Sequence, residues 1–312
     1  MAFDPEIFLP DRKITRVADI IERITGSKSG PSAMGWSKIQ LPMKCWRKAY
    51  HVLVQDLRKV CNEVALDTGT LFHYVLNELL YRNVSVQDAR DFIREVGKEA
   101  PMSAETVHKL LFERDQKGKI FVEDTLPKDL DKWNILFTEE EAGFELDNQK
   151  VHPIQYGRLD PVTVKYDLVR KEDDGVVVVE TKTTSAFTRD LTFGFTMDGQ
   201  LLLNKLVWNR SGLRDKYGPL KYFTLNIFVK TKVPQHERFT VEITDEQAEN
   251  FWSEVKPWVE QLHRQLAATN KDEIHKWPRN IASCKDRFGL CKYFELCLMG
   301  ENARDLYEVR AR

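Results

Sequence analysis

Cysteine placement constrains this chain more than any other feature. Cys284, Cys291 and Cys297 crowd into WPRNIASCKDRFGLCKYFELC near the C-terminus, while Cys45 lies far upstream in PMKCWRKAY. Four thiolates are what a tetrahedral zinc ion or an iron–sulfur cluster takes. If they grip one centre, both ends of the chain are clamped together around whatever lies between. Zinc ribbons and fingers use close Cys-x₂₋₄-Cys pairs, and none occurs here; the wider, irregular gaps suit a cluster better. Cys61, in an apolar helical stretch, is the spare thiol. Five cysteines without the spacing of a secreted disulfide framework point to a reducing cytoplasm and metal-bound thiolates.

Between the cysteines lies Val176-Val-Val-Val-Glu180-Thr181-Lys182, a buried type of strand that ends in a carboxylate and an ammonium. Side chains two apart on a strand share a face, so Glu180 and Lys182 project together. An acid there can hold a divalent metal against a phosphate. The lysine can orient an attacking water or offset charge at phosphorus. The same acid-x-Lys spacing recurs at Asp11/Lys13, Asp115/Lys117 and Glu254/Lys256, where helical or loop context leaves the pairs solvated. Only Glu180/Lys182 caps a four-valine run, where ionised groups are costly without a purpose.

Metal-assisted phosphodiester hydrolysis calls for a second acid from a neighbouring strand. A hairpin folded symmetrically around Asp173-Asp174 places Asp167 opposite Glu180. Asp160, in Tyr156-Gly-Arg-Leu-Asp160-Pro161, needs a longer, irregular hairpin. His73, at a helix that follows Gly69-Thr-Leu-Phe, could ligate metal or contact phosphate, or be a hydrogen-bonded core residue. Gln200 takes a structural role unless its helix packs beside the hairpin.

The chain's 312 residues, with 47 basic and 48 acidic side chains, can bury a sizeable core. The balance gives no support to DNA binding through overall charge, so any such patch is local. No apolar run approaches the roughly 20 residues that cross a bilayer. The N-terminus lacks a signal-peptide core, so the expectation is an intracellular protein with no membrane partner. Residues 1–35 read as an arm carrying a short helix at Ile14–Ile24. A helix starting at Ser37 follows, with Ser37 as its cap, then another from about Asp67 to Tyr81. Residues 86–135 read as a polar helical insertion. Strand patterns occupy Ile154–Val169, Val176–Thr183 and Tyr222–Lys230, with helices at Met197–Asn209 and Thr244–Ala268. This order predicts an α/β fold with a mixed central sheet.

Taken in order, these motifs resemble the RecB-like nucleases of the PD-(D/E)xK superfamily. Ser37-Lys-Ile…Cys45-Trp-Arg-Lys-Ala-Tyr50 is similar to their opening. Gly69-Thr-Leu-Phe-His73 resembles their G-x-x-x-H helix, and Gly157-Arg-Leu-Asp160 their glycine–Asp strand. Glu180-Thr-Lys182-Thr-Thr-Ser185 is similar to the acid-x-Lys signature, and Gln200 fits a downstream glutamine helix. Trp277-Pro-Arg-Asn280…Cys297 resembles the cluster-binding tail, especially of phage-encoded members. The resemblance covers about 37 to 297. It departs at Trp46, where proline is usual, at Asn204, where tyrosine is common, and in a long Asp160-to-Glu180 interval that keeps Asp167 open as the ligand.

The resemblance implies a restriction-endonuclease-like domain over 36–312, with the insertion at 86–135 and a cluster-binding tail at 277–300. It implies a structural [4Fe–4S] cluster on Cys45, Cys284, Cys291 and Cys297. It also implies Mg²⁺- or Mn²⁺-dependent exonuclease action on DNA ends or single strands, with a helicase or recombination partner. Asp160, Glu180 and the Thr181 carbonyl would ligate metal, His73 would contact a second ion, Lys182 would serve the attacking water, and Gln200 would support the site. Two other readings fit the residues: a non-catalytic DNA-binding or assembly subunit, and a Zn²⁺-stapled scaffold in which Glu180 and Lys182 form a salt bridge.

Overall fold

The computed structural model describes residues 16–25, 34–59, 64–146, 161–186, 194, 198–269, 273–286 and 289–309. Its N-terminal part carries helices α1 (Val17–Thr25), α2 (Trp36–Lys44) and α3 (Trp46–Ala49), then the short strand β1 (Leu57–Lys59). Helices α4 (Val64–His73), α5 (Val86–Gly97), α6 (Pro101–Phe112) and α7 (Leu126–Lys132) precede strands β2 (Asn134–Phe144), β3 (Val162–Glu172) and β4 (Gly175–Thr184). Next come α8 (Gly199–Arg210), α9 (Leu213–Tyr217), β5 (Leu220–Val229), β6 (Gln235–Val241) and α10 (Asp245–Ala267). The tail holds β7 (Lys285–Asp286), β8 (Gly289–Leu290), α11 (Phe294–Met299) and β9 (Tyr307–Val309).

A five-stranded sheet runs β2-β3-β4-β5-β6. Only the central β4–β5 pair is parallel; β2–β3, β3–β4 and β5–β6 are antiparallel. The mixed sheet flanked by helices is the α/β architecture expected. The four valines of β4 are all buried because each face of this strand meets a different core, as their unbroken apolar run requires. On one side Val176 and Val178 pack with Leu203, Leu206 and Trp208 of α8 and with Trp252 and Val259 of α10. On the other, Val179 and Leu168 pack with α4, α5 and α6.

Several local readings change. Residues 86–135 contribute more than a polar insertion: Ile93, Val96, Val107, Leu110 and Leu111 build the second core, and its last two residues already belong to β2. Likewise, α1 is a packed helix, since Val17, Ile20 and Ile21 are fully buried in that core. Ser37 is not a cap: α2 starts one residue earlier, after Gly35, without a side-chain cap. The helix from Ser37 also breaks at Cys45, which is extended (φ −164°, ψ 115°) between α2 and α3. The helix beyond His73 widens into a π-helical turn over Tyr74–Leu79. β6 was not foreseen, because QHERFTV is an edge strand with too few apolar residues to declare itself. Helix α8 is buried on nearly all sides rather than amphipathic. It sits so close to α2 that a Cβ at Gly199 would lie 2.3 Å from the Trp36 ring.

Candidate active site

Strands β3 and β4 pair from Glu172↔Gly175 to Leu168↔Val179, the symmetric hairpin that the Asp173-Asp174 turn implies. Continuing that register sets Asp167 opposite Glu180. The Thr181 backbone N–H donates to Asp167 Oδ2 at 2.8 Å, tying the two strands at this point. Residues directly opposite on antiparallel strands project from one face.

Lys182 Nζ donates to Glu180 Oε1 at 2.7 Å and to Gln200 Oε1 at 2.7 Å. Gln200 Nε2 donates to the same Glu180 oxygen at 2.6 Å. Gln200 lies in the first turn of α8, where the Asp198 cap accepts its backbone N–H at 2.8 Å. One amide therefore fixes both the acid and the ammonium, and the helix does pack beside the hairpin. The other Glu180 oxygen, Oε2, is buried without a hydrogen-bond partner.

Helix α4 brings His73, whose Nδ1 lies 3.4 Å from Asp167 Oδ2. From β2, the pairs Thr138↔Leu168 and Glu140↔Tyr166 bracket Glu139 opposite Asp167. His73, Glu139 and Asp167 each offer one ligand atom within 4.8 Å of the others. Glu139 is held by Lys165 Nζ at 2.6 Å and Asn77 Nδ2 at 2.7 Å.

The charges act on one another. Burial and the Asp167 carboxylate push Glu180 up to about 7, against the pull of Lys182. Burial would raise Asp167 too, but His73, Lys182 and the Thr181 N–H hold it below the ordinary carboxylate value. For Lys182, burial opposes the ammonium, yet Glu180 and Asp167 raise its pKa above the usual lysine value. Glu139 is raised by burial and by Asp167. His73 is raised as well: burial opposes its charge, and Asp167 and Glu139 outweigh it. The result is a nest of oxygen donors, one imidazole and one fixed ammonium around two buried carboxylates. Hard oxygen ligands with a single imidazole suit Mg²⁺ or Mn²⁺, and the orphaned Glu180 Oε2 leaves a donor free to take one. The residues fit such an ion.

The family model described as the PD-(D/E)XK nuclease superfamily matches residues 34–298, a span that takes in every side chain just described. The chain belongs to this superfamily. Glu180-Thr181-Lys182 has the order that the second half of its name spells. A crystal structure from Eubacterium rectale named "Putative exonuclease" is similar at 13% identity and a TM-score of 0.38, covering 74% of this chain and 81% of that one. No curated protein matches the chain.

Of the residues expected in the nuclease site, His73, Asp167, Glu180, Thr181, Lys182 and Gln200 come together; Asp160 lies outside the described residues. Sequence reasoning missed Glu139, Lys165 and Asn77. No pattern in the acidic run Glu139-Glu-Glu141 marks which of the three turns inward; the strand register sets Glu139 opposite Asp167.

At the C-terminal end of α2 in this PD-(D/E)XK chain, Asn280 stands between two of the thiols. The Asn280 backbone N–H points at Cys45 Sγ at 3.5 Å, and the Asn280 carbonyl lies 3.7 Å from Cys284 Sγ. Strands β7 and β8 pair antiparallel, and the Cys291 N–H donates to the Cys284 carbonyl at 2.8 Å. Helix α11 then carries Cys297 to 3.8 Å from His51 Nε2. Burial, then Cys291 and Cys45, raise the Cys284 thiol. Cys297 is raised by burial against the pull of Arg279 and Arg47. The ends are tied further by Arg47, whose N–H and Nε donate to Pro278 and Trp277 carbonyls at 3.0 and 2.7 Å, and by the β1–β9 pairing. Four sulfur donors of this kind suit zinc or an iron–sulfur centre. Among the described residues, no helix is long and apolar enough to cross a membrane.

Proposed function

We propose that this chain is a divalent-metal-dependent deoxyribonuclease of RecB-like type that digests DNA from ends or in single strands. The observation that carries this reading is the row Asp167–Glu180 with Lys182 beside it: two buried carboxylates, one with an unpartnered oxygen, facing an ammonium held by Gln200. Asp167, Glu180 and the Thr181 carbonyl are assigned as ligands, with His73 on the side of Asp167. Asp167 is preferred over Asp160 because its register with Glu180 gives one compact donor set. When bound, the ion supplies an acidified water and offsets charge on the phosphodiester oxygens.

The protein's own groups do the rest. Lys182 presents a fixed positive charge to a phosphate and to the water that attacks it. Gln200 prevents Lys182 and Glu180 from collapsing into a simple pair, because it bonds both. His73 sets the Asp167 carboxylate. In the tail, Cys45, Cys284, Cys291 and Cys297 are assigned to a structural [4Fe–4S] cluster, their wide spacing being unlike that of close zinc pairs. The cluster clamps the 277–300 tail against α2 within a nuclease domain spanning 36–312, and takes no part in hydrolysis.

The test is digestion of single- and double-stranded DNA labelled at either end, with Mg²⁺, Mn²⁺ or chelator. Metal-dependent release of label from one end supports the reading. DNA bound but uncut in both metals would leave a non-catalytic DNA-binding subunit.

A further inference from the structure

Glu139 is the strangest residue in the central sheet. Among the described residues, three non-glycine positions have positive φ, and Glu139 (φ 53°) is the one inside a strand. That conformation costs backbone energy for any side chain with a Cβ, and such outliers persist where surrounding structure forces them, often at functional sites. The carboxylate of Glu139 lies beside Asp167 and His73, while its neighbour Glu140 is exposed.

We propose that Glu139 is a third protein ligand, with His73 and Asp167, of a divalent-cation site, and that Lys165 occupies its carboxylate until the ion arrives. The proposal rests on the metal-dependent reading above and adds a residue that no motif marks. Three ligand atoms within 4.8 Å of one another can close on a single ion. Lys165 Nζ at 2.6 Å from Oε2 neutralises one oxygen, and Asn77 Nδ2 at 2.7 Å from Oε1 aims the other. Asn77 is fully buried, and its own Oδ1 has no partner, so this amide is spent on orienting Glu139 rather than on satisfying itself. Asn77 is a positioning residue in this scheme. An open cleft of about 490 Å³, lined by Arg82, Phe137, Thr138, Glu139 and Glu140, lies beside the group.

In the β2–β3 register Lys165 lies opposite Glu141, and the pairs on either side set Glu139 opposite Asp167, so the Glu139 carboxylate faces Asp167 directly and reaches Lys165 only across a diagonal.

Mn²⁺ binding to the full chain, read from loss of the free-ion EPR signal, tests this without any assay of cleavage. Wild type should bind Mn²⁺, Glu139→Gln should bind at least about tenfold more weakly, and Glu140→Gln, which removes the same charge one residue along, should bind as wild type does. Equal affinity in Glu139→Gln, or an equal loss in Glu140→Gln, overturns the ligand assignment and leaves the metal-dependent reading standing. No Mn²⁺ uptake by wild type overturns both. If Glu139→Gln does not fold, Lys165→Met replaces it: freeing the carboxylate should tighten Mn²⁺ binding, and unchanged affinity overturns the proposal.

Discussion

The Thr181 backbone N–H donates to Asp167 Oδ2 at 2.8 Å, so the residue between Glu180 and Lys182 also fixes the acid opposite them. One backbone bond thus sets the spacing of all three charged groups. Lys182 is the member with no substitute: its ammonium is already formed, stabilised by Glu180 and Asp167, and aligned by Gln200.

Replacing Lys182 by alanine should therefore cut DNA hydrolysis on the order of 10²–10³-fold, the range seen when one fixed charge-stabilising donor is lost. DNA binding should persist, because the other side chains of the site are untouched. Digestion of end-labelled DNA beside a mobility-shift titration checks both halves. Undiminished cleavage would remove Lys182 from the chemistry.

Much of this hairpin is legible in the sequence, and the reasons are local. Four successive valines need cover on both faces, a β-branched run reads as strand, and Lys171-Glu-Asp-Asp-Gly175 forces a turn whose symmetry sets Asp167 against Glu180. What stays hidden depends on partners far along the chain. Glu139 faces Asp167 through the pairing of β2 with β3, a register that periodicity within β2 cannot show. Strand β6 has few apolar side chains because it is an edge. Helix α1 reads as an arm until α4, α5 and α6 supply the surface that buries Val17, Ile20 and Ile21. Cys45 interrupts its helix, and the backbone N–H that points at its sulfur comes from Asn280, in a distant part of the sequence.

Gly199 is the contact through which α8 and α2 touch. An alanine Cβ there would stand 2.3 Å from two Trp36 ring carbons, and Trp36 is itself pinned edge-on by Phe251 at 5.3 Å. Overpacking of this kind costs roughly 1–3 kcal/mol. Gly199→Ala should lower Tm and, by displacing the neighbouring Gln200, reduce activity more than Tm alone explains. Trp36→Leu in the same chain should recover part of the stability in thermal unfolding. A Gly199→Ala protein as stable as wild type would mean that α8 can slide freely.

The tail makes a separable prediction. Cys291 directly follows β8, its N–H on the Cys284 carbonyl and its own carbonyl accepting from Phe294 at 2.9 Å. Cys291→Ala should abolish visible thiolate–iron absorption and expose the tail to limited proteolysis, because metal binding and folding of such segments are linked. Anaerobically purified wild-type protein that is colourless and carries zinc would replace the cluster with a single ion.

Acid should weaken the fold through a histidine outside the active site. His236 Nε2 donates to Asn226 Oδ1 at 2.5 Å, and its ring stacks on Phe228 at 4.5 Å. Burial, helped by Arg238, Lys117 and Lys119, depresses it to about 3. An unfolded histidine titrates near 6.5, so below that pH the unfolded chain takes a proton that the native one refuses. The contribution of His236 is complete above about 6.5 and is lost as pH falls toward 3, with a slope of at most about 1.4 kcal/mol per pH unit. His51, depressed to about 4 mainly by burial, adds to the same loss. His236→Gln should flatten the dependence by one proton in chemical denaturation between pH 7 and 4. Parallel curves for wild type and variant would show that His236 titrates alike in both states, and that its stacking on Phe228 does not exclude the cation.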